Sequence, residues 1–275
     1  MQADRSMNRS WLYVPGDRPD RVAKALQSSA DAVMVDLEDA VRPGQREFAR
    51  STAVAAAAMP RVAGIEMWVR INAGDAGRRD LAAIAGVHGL DGLVLAKCES
   101  PDWIAEVASA TPEAWLLSPL VETARAVRDI DSIMSAPRIG PCHLGEVDLL
   151  ADLRGAPPAG QRLIDAARVA LVIASAAAGN APPVGGVHLQ LADLDALAST
   201  SAELAQLGFG GRAVVHPDHC TVVNEMFSPS AADVAWALSV LQAAASADGG
   251  AVRAADGSMV DEAVLRRARW IMGRE

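Results

Sequence analysis

Short runs of β-forming residues alternate with longer helical patterns along most of this 275-residue chain. Eight runs have the length and composition of strands, and they cover residues 11–14, 32–37, 67–72, 92–97, 115–121, 140–145, 184–190 and 212–217. Seven helical segments lie between them, at residues 20–29, 46–59, 78–87, 102–110, 124–134, 162–179 and 195–208. Several end at a glycine, as helices often do. This alternation is typical of parallel strands joined by crossover helices.

A (β/α)₈ TIM barrel, an α/β fold, explains eight strands and seven helices more simply than an open sheet does. A doubly wound open sheet stays possible because the sequence does not give the order of the strands. Beyond the eighth run, Ser230 and Asp233 form a capping-box pattern that predicts the start of a long helix. We therefore predict a barrel domain over residues 1–228 and a C-terminal helical extension over residues 229–275. This extension would pack on its own barrel or on a neighbouring subunit.

Composition narrows the class of protein. Apolar residues make up 51% of the chain and charged residues 21%, which supports a large core and argues against disorder. The net charge of −9 gives no electrostatic sign of nucleic-acid or membrane binding. Three distant cysteines predict free thiols in a reducing compartment. The start of the chain lacks the apolar core of a signal peptide, so we expect a cytoplasmic protein.

Polar residues follow several predicted strands, at the end of a barrel where active sites are built. Asp36, Glu38 and Asp39 follow the second strand, and Arg70 lies near the end of the third. The other charged residues in such positions are Lys97 and Glu99 after the fourth strand, Glu122 after the fifth, and Glu146 and Asp148 after the sixth. So many carboxylates predict a hard divalent cation, and Mg²⁺ suits a site with one or two of them.

Several of these residues also have a simpler interpretation. The three acids after the second strand can cap a helix or bind water, and Arg70 can form a surface ion pair instead of binding a carboxylate bidentately. Glu122 can favour the dipole of the helix that follows it. His216, His219 and Cys220 lack a fourth ligand and do not predict a zinc site.

The sequence resembles the citrate lyase β-subunit-like branch of the HpcH/HpaI aldolase superfamily. The resemblance rests on ordered segments that extend nearly from end to end: WLYVPGDRPDRVAKAL, VMVDLEDAV, VRIN, LAKCES, LVETARAV, GEVDLLADL, GFGGRAVVHP, VNEMFSPS and DGSMVDEAV. It implies a barrel in which Glu122 and Asp148 hold Mg²⁺, while Arg70 binds the keto-acid portion of the substrate. Glu38 and Asp39 would hold metal-bound waters and nearby cations in place.

The resemblance also implies where the rest of the substrate binds. Tyr13, Arg18 and Lys24 match positions at which relatives bind the acyl carrier, so a CoA thioester is expected. Asp261 of MVDEA matches the catalytic acid/base, which in relatives reaches the site of a neighbouring subunit. Its local sequence fits the N-cap of the last helix equally well. The resemblance favours a homo-oligomer, a trimer or a multiple of it.

The implied reaction is reversible carbon–carbon cleavage of a 3-hydroxy-3-carboxyacyl thioester of the malyl, citramalyl or citryl type. Two alternatives remain: a protein that binds a CoA thioester or a keto acid without turnover, and a β subunit active only with an acyl-carrier protein in a larger lyase. Departures from the family pattern motivate the first, since the chain reads LAK for Leu-Pro-Lys and LGEVD for Phe/Trp-Gly-Ala-Glu-Asp. It also has Gly185 where relatives have an acid. The sequence does not identify the acyl group.

Overall fold

The computed structural model describes residues 7–245, 252–253 and 259–274. Eight parallel strands form a closed barrel in which each strand pairs with the next along the chain and the eighth pairs with the first. They are β1 (Ser10–Pro15), β2 (Ala32–Asp36), β3 (Glu66–Ile71), β4 (Gly92–Leu95), β5 (Leu116–Val121), β6 (His143–Leu144), β7 (Val184–Gly185) and β8 (Gly211–Val214). Closure in chain order confirms the predicted (β/α)₈ barrel and excludes the open sheet.

An apolar cluster fills the barrel. Its buried members come from seven of the eight strands: Trp11, Ala32, Met34, Trp68, Val94, Leu120, Val184 and Ala213. The rings of Trp11 and Trp68 meet edge to face with their centroids 5.0 Å apart. Because helices cover the outer face of the sheet as well, strands such as β2 are buried along their whole length.

The helices that follow the strands are α1 (Pro19–Ala25), α2 (Arg46–Ala56), α3 (Gly74–Ile84), α4 (Pro101–Ala110), α5 (Ala124–Arg128), α6 (Ile130–Met134), α7 (Glu146–Asp152), α8 (Gln161–Ala177) and α9 (Leu194–Leu207). A 3₁₀ turn, Pro43–Gln45, precedes α2. Two connections contain two helices where the sequence predicts one. The helix predicted at 124–134 is divided at Asp129, whose backbone leaves the helical region (φ −100°, ψ 18°). The short helix α7 was missed because its seven residues directly follow a predicted strand.

By its contacts the chain divides into two compact units, and the division falls within α10 (Pro217–Phe227). The first unit, Asn8–Asn224, contains the barrel. The second unit contains α11 (Ala231–Ala245), the antiparallel pair β9 (Val252–Arg253) and β10 (Met259–Val260), and α12 (Glu262–Met272). Ala237, Val240, Val260, Ala268 and Ile271 form its own apolar cluster.

The capping box predicted at the start of α11 is present. The Ser230 backbone N–H and hydroxyl donate to Asp233 Oδ2 at 3.1 and 2.5 Å, and the Asp233 N–H donates to Ser230 Oγ at 3.1 Å. The backbone N–H groups of Ser230 and Asp233, which have no partner within the helix, are therefore each bound by the other residue's side chain.

The three cysteines are free, as the sequence predicts, and all three are buried. Burial raises the pKa of Cys98 and that of Cys220 to about 12. Within the described ranges, no helix combines the length and the apolar character that a membrane crossing requires.

Candidate active site

The carboxyl ends of the eight strands, with the loops that follow them, form one end of the barrel, which we call the C-terminal rim. Asp36 of β2 and Arg70 of β3 are register neighbours at this rim. Arg70 Nε and Nη2 donate to the two Asp36 carboxylate oxygens at 2.6 and 2.7 Å, and Arg70 Nη1 lies 3.1 Å from Glu38 Oε2. Burial opposes the charge of Arg70, but its bonds to Asp36 and the nearby carboxylates outweigh burial and raise its pKa. The rim therefore holds a charged guanidinium in one orientation.

Asp36 also shapes the loop after β2. Its two carboxylate oxygens accept from the backbone N–H groups of Glu38 and Ala40, both at 3.0 Å. The loop buries the Glu38 side chain beside Arg70 and leaves Asp39 exposed. Burial raises the pKa of Glu38, while the charges of Arg70 and Lys97 act in the opposite direction. Glu38 thus contacts two cationic side chains, which is the environment expected for an acid that fixes nearby cations.

Lys97 connects the acids that follow β2 with Glu122, which follows β5. Its backbone lies in the left-handed region (φ 47°), which residues other than glycine seldom adopt. The Lys97 N–H donates to Glu122 Oε1 at 2.7 Å, while its Nζ is hydrogen-bonded to Glu38 Oε1 and lies 3.7 Å from Asp39 Oδ2. Residues with such a backbone conformation cluster at functional sites. Here Lys97 binds Glu122 through its backbone N–H and Glu38 through its side chain.

Glu122 follows β5 and is buried at the rim. Gly145, the residue after β6, lies against it, because a Cβ atom at position 145 would come within 2.5 Å of Glu122 Cβ and 2.8 Å of Glu122 Oε2. Burial raises the pKa of Glu122 to about 7; the Lys97 N–H opposes this rise, and the neighbouring Glu38 adds to it. Position 145 must therefore be glycine for the Glu122 carboxyl group to keep this place.

Asp148 lies in the first turn of α7, which begins directly after Gly145. It is exposed, and its carboxylate has no hydrogen-bond or ion-pair partner among residues 7–245, 252–253 and 259–274. Glu146, by contrast, is bound by Arg168, with Nε–Oε1 at 2.8 Å and Nη2–Oε2 at 2.7 Å. Of the two acids that follow β6, only Asp148 is available to a ligand.

The acids of the C-terminal rim offer a small set of ligands for a divalent cation. The part of the chain that the structure describes contains no group of three or more His, Cys, Asp or Glu side chains that could hold a metal. A site for Mg²⁺ does not need one, because this ion is commonly held by one or two carboxylates and completes its shell with water and substrate oxygens. A buried Glu122 whose pKa is raised, and an unpaired Asp148 in the helix that follows the adjacent strand, fit such a cation.

The predicted acyl-carrier residues occupy different environments. Tyr13 of β1 is half-buried, and its ring stacks on the Arg70 guanidinium with 4.9 Å between Arg70 Cζ and the ring centroid. Arg18, at the N-cap of α1, pairs with Asp20 at 3.3 Å. Lys24 is exposed on α1. Tyr13 therefore lies against Arg70 at the rim. Arg18 and Lys24 lie at the surface, where a long acyl carrier could contact them.

Asp261 belongs to the second compact unit. It is the N-cap of α12, and its Oδ1 accepts from the Val264 N–H at 2.9 Å. The capping interpretation is confirmed. One carboxylate oxygen can still serve as an acid/base, so that role stays a prediction.

The residues considered for zinc do not form a site. His219 Nε2 lies 3.0 Å from the carbonyl oxygen of Leu191 and Cys220 is buried, while His216 is half-exposed. The rings of the two histidines are 5.8 Å apart.

One residue of the site was missed as a functional position. Gly145 was considered only as part of a motif, because a sequence does not indicate which side chain occupies the space beside a glycine. Asp36 and Lys97 were recognised as rim residues, but their partners depend on the register of neighbouring strands.

Comparisons with known proteins add to this geometry. A model of the family described as HpcH/HpaI aldolase/citrate lyase matches residues 9–217. A protein named citrate lyase subunit beta-like protein, from Mycobacterium tuberculosis, is 34% identical over 281 residues, which cover 98% of this chain and 96% of the relative. A (3S)-malyl-CoA thioesterase of Cereibacter sphaeroides is 31% identical, over 97% of this chain and 94% of the relative.

Among solved structures, the chain is similar to the protein CitE of Mycobacterium tuberculosis in complex with magnesium, acetoacetate and coenzyme A. The TM-score is 0.81 at 32% sequence identity, and the match covers 98% of both chains.

Proposed function

Because the chain belongs to the HpcH/HpaI aldolase/citrate lyase family and is therefore an enzyme of the lyase class, we propose that it is a Mg²⁺-dependent carbon–carbon lyase. Its substrate is a 3-hydroxy-3-carboxyacyl thioester of CoA, of the malyl, citramalyl or citryl type. The products are an α-keto acid and an acyl-CoA. The observation that carries the proposal is the placement of Glu122 and Asp148 after adjacent strands of the barrel, at the rim that also holds Arg70.

Magnesium is the cofactor of the proposed reaction, and a solved relative contains it. Glu122 and Asp148 would hold the ion. When bound, it supplies a Lewis acid and a template for the carboxylate and hydroxyl oxygens of the substrate.

Arg70 contributes fixed positive charge. A guanidinium has five N–H donors, and three of the nitrogen-to-oxygen contacts of Arg70 go to Asp36 and Glu38. The remaining donors can bind the oxygen that changes from hydroxyl to ketone, where negative charge develops. Asp36 and Glu38 hold the guanidinium in place, so the charge need not be oriented during the reaction.

The reaction requires one proton to leave the 3-hydroxyl group and one to reach carbon 2. Loss of the hydroxyl proton allows the bond between carbons 2 and 3 to break, and this releases the keto acid and the enolate of the acyl thioester. Asp261 donates a proton to carbon 2 of that enolate, and in the condensing direction it removes the same proton. The Asp261 that serves a site comes from a neighbouring subunit of a homo-oligomer.

A hydrolytic activity is the second candidate, because one of the most similar relatives is named a thioesterase. Hydrolysis would release free CoA thiol, whereas lysis alone releases an acyl-CoA. The two activities are therefore separated by their products.

The proposal is tested with the purified full-length chain, malyl-CoA, citramalyl-CoA and citryl-CoA, with Mg²⁺ or with EDTA. We expect a keto acid and an acyl-CoA only when Mg²⁺ is present. Release of free thiol would favour the hydrolase. Binding without turnover would favour a non-catalytic binding protein, and turnover only after an acyl-carrier protein is added would favour a lyase subunit.

Two variants address the metal residues. Glu122→Gln and Asp148→Asn each remove one carboxylate with little change in shape, so we expect Mg²⁺-dependent turnover to fall by at least about 10²-fold. Matched controls are Glu113→Gln, exposed in the loop before β5, and Asp102→Asn, exposed in the first turn of α4. Both controls should keep full activity. Full activity of either metal-site variant would contradict the metal assignment.

A further inference from the structure

The imidazole of His143 is a buried polar group that the proposed reaction does not use. His143 lies on β6, opposite Leu120 of β5 and Val184 of β7, and both of these belong to the cluster that fills the barrel. Only 1% of its surface is exposed. Its ring meets Trp11 edge to face at 4.7 Å. His143 therefore points into the barrel with the apolar core.

The layers of the barrel place this ring directly below the rim. Residues two apart on a strand share a face, and the second is one step closer to the carboxyl end. Tyr13 and Arg70 each lie two residues beyond a member of the cluster that surrounds the ring, Trp11 and Trp68 respectively. Two residues beyond His143 is Gly145, which follows β6 and lies against Glu122. The His143 ring thus lies in the core beneath Arg70.

Neither ring nitrogen of His143 has a hydrogen-bond partner among the described residues. Burial, and then the positive charge of Arg70, lower the pKa of His143 to about 3, so the ring is neutral and carries one donor and one acceptor. Buried polar groups without partners are rare in native proteins and call for a specific explanation. An apolar residue would fill this position more favourably if packing were its purpose.

We infer that His143 is a specificity-determining residue. Its ring donates a hydrogen bond to the second carboxylate of a keto acid that reaches into the barrel from the rim. This inference rests on the proposed function. Of the three thioester types, only the citryl type yields a keto acid with a second carboxylate, oxaloacetate. The methyl group of pyruvate would leave both ring nitrogens unpaired, and glyoxylate has no group that extends so far. His143 therefore selects the dicarboxylic keto acid.

The inference is tested first without any variant. The full-length protein is labelled with ¹⁵N-histidine, and the ring nitrogens of its five histidines are observed by NMR with Mg²⁺ and either oxaloacetate or pyruvate. A His143→Asn sample identifies the His143 signals. We expect oxaloacetate to shift these signals and pyruvate to leave them nearly unchanged. Equal shifts with both acids, or no shift with either at saturating concentration, would overturn the inference.

Variants then measure the energetic effect. His143→Leu removes both hydrogen-bonding atoms at similar volume, and His143→Asn keeps one donor and one acceptor. We expect His143→Leu to weaken oxaloacetate binding by about 10- to 100-fold while pyruvate binding changes less than about 3-fold, and His143→Asn to recover part of the loss. His88→Leu, at an exposed histidine, is the matched control.

The outcomes separate this inference from the proposed function. Selective shifts and selective loss of oxaloacetate binding support the role of His143 even if no thioester is cleaved, in which case only the proposed lyase activity fails. Thioester cleavage accompanied by equal losses for both acids in His143→Leu would leave the lyase proposal intact and overturn the role of His143.

Discussion

Glu122 and Gly145 show how one missing side chain makes room for a neighbouring carboxyl group. The carboxyl group of Glu122 occupies space that any Cβ atom at position 145 would need. The backbone of Gly145 (φ −91°) is accessible to other residues, so glycine is required here for close approach and not for backbone conformation. A sequence reveals that a glycine follows the strand, but not which side chain fills the space beside it.

We therefore predict that Gly145→Ala displaces Glu122 and lowers kcat/KM by about 10²-fold, because a misplacement of roughly 1 Å is enough for such a loss. Steady-state assays with Mg²⁺ titration measure the effect, and thermal unfolding reports whether the fold survives. Gly86→Ala is the control, since a Cβ atom there meets nothing within 4 Å. Wild-type activity in Gly145→Ala would show that the Glu122 carboxyl group can move without consequence.

The other site residues could be predicted from the sequence to different degrees. That Asp36, Arg70, Lys97 and Glu122 lie at the ends of strands follows from the β/α pattern alone. That Arg70 is held by Asp36 and not left free depends on their register, which the two isolated segments do not contain. Assignment of Glu122 and Asp148 as metal ligands came from the family resemblance and stays a prediction.

At the scale of elements, a buried network at the rim fixes the ends of β2 and β3. Asp80 of α3 is fully buried and accepts from the Asn72 backbone N–H at 2.9 Å, the Asn72 side chain at 2.7 Å and Arg50 Nε at 2.8 Å. Asn72 also donates to the carbonyl oxygen of Leu37 at 2.7 Å. Through these bonds, two helices hold the loops that carry Glu38 and follow Arg70.

Asp80→Ala should destabilise the protein by about 3–5 kcal/mol, because it leaves the buried Arg50 and the Asn72 amide without their shared acceptor. Urea unfolding measures the loss. The control is Arg78→Ala, which removes the exposed pairs with Glu106 and Asp75 and should change stability far less than Asp80→Ala. A loss of stability no larger than that of the control would mean that the Asp80 network does not hold these loops.

The shortest elements were the hardest to predict. The structure reduces the predicted strands at 140–145 and 184–190 to two residues each, because pairing with neighbours, and not local composition, decides how far a strand extends. The same limit explains the missed helix α7. Longer elements such as α8 and α9 were predicted to within a few residues, since their patterns extend over several turns.

At the scale of the whole molecule, closure of the barrel is what brings distant segments to one rim. Sequence alternation predicts the eight strands, but the pairing of β8 with β1 is a property of the three-dimensional fold. The C-terminal unit is different, because its helices could be predicted while the site that its Asp261 serves could not. That assignment rests on the resemblance and can be tested with mixed oligomers.

If Asp261 acts in a neighbouring subunit, inactive Glu122→Gln and Asp261→Asn chains should complement each other. Co-expressed with different tags and purified as mixed oligomers, they should recover about a quarter of wild-type activity, since each site then draws both residues from intact subunits at random. Each variant purified alone serves as the inactive control. Mixed oligomers that stay as inactive as their parents would place Asp261 in the site of its own chain.

The chain contains a single tyrosine, Tyr13, and that residue stacks on Arg70. Growth on 3-fluorotyrosine would therefore label the protein at one place, and a ¹⁹F spectrum would contain one resonance from the mouth of the barrel. Any molecule that enters this mouth changes the surroundings of that fluorine, whether or not it reacts. Ligands can thus be screened directly against the native sequence, with no engineered probe.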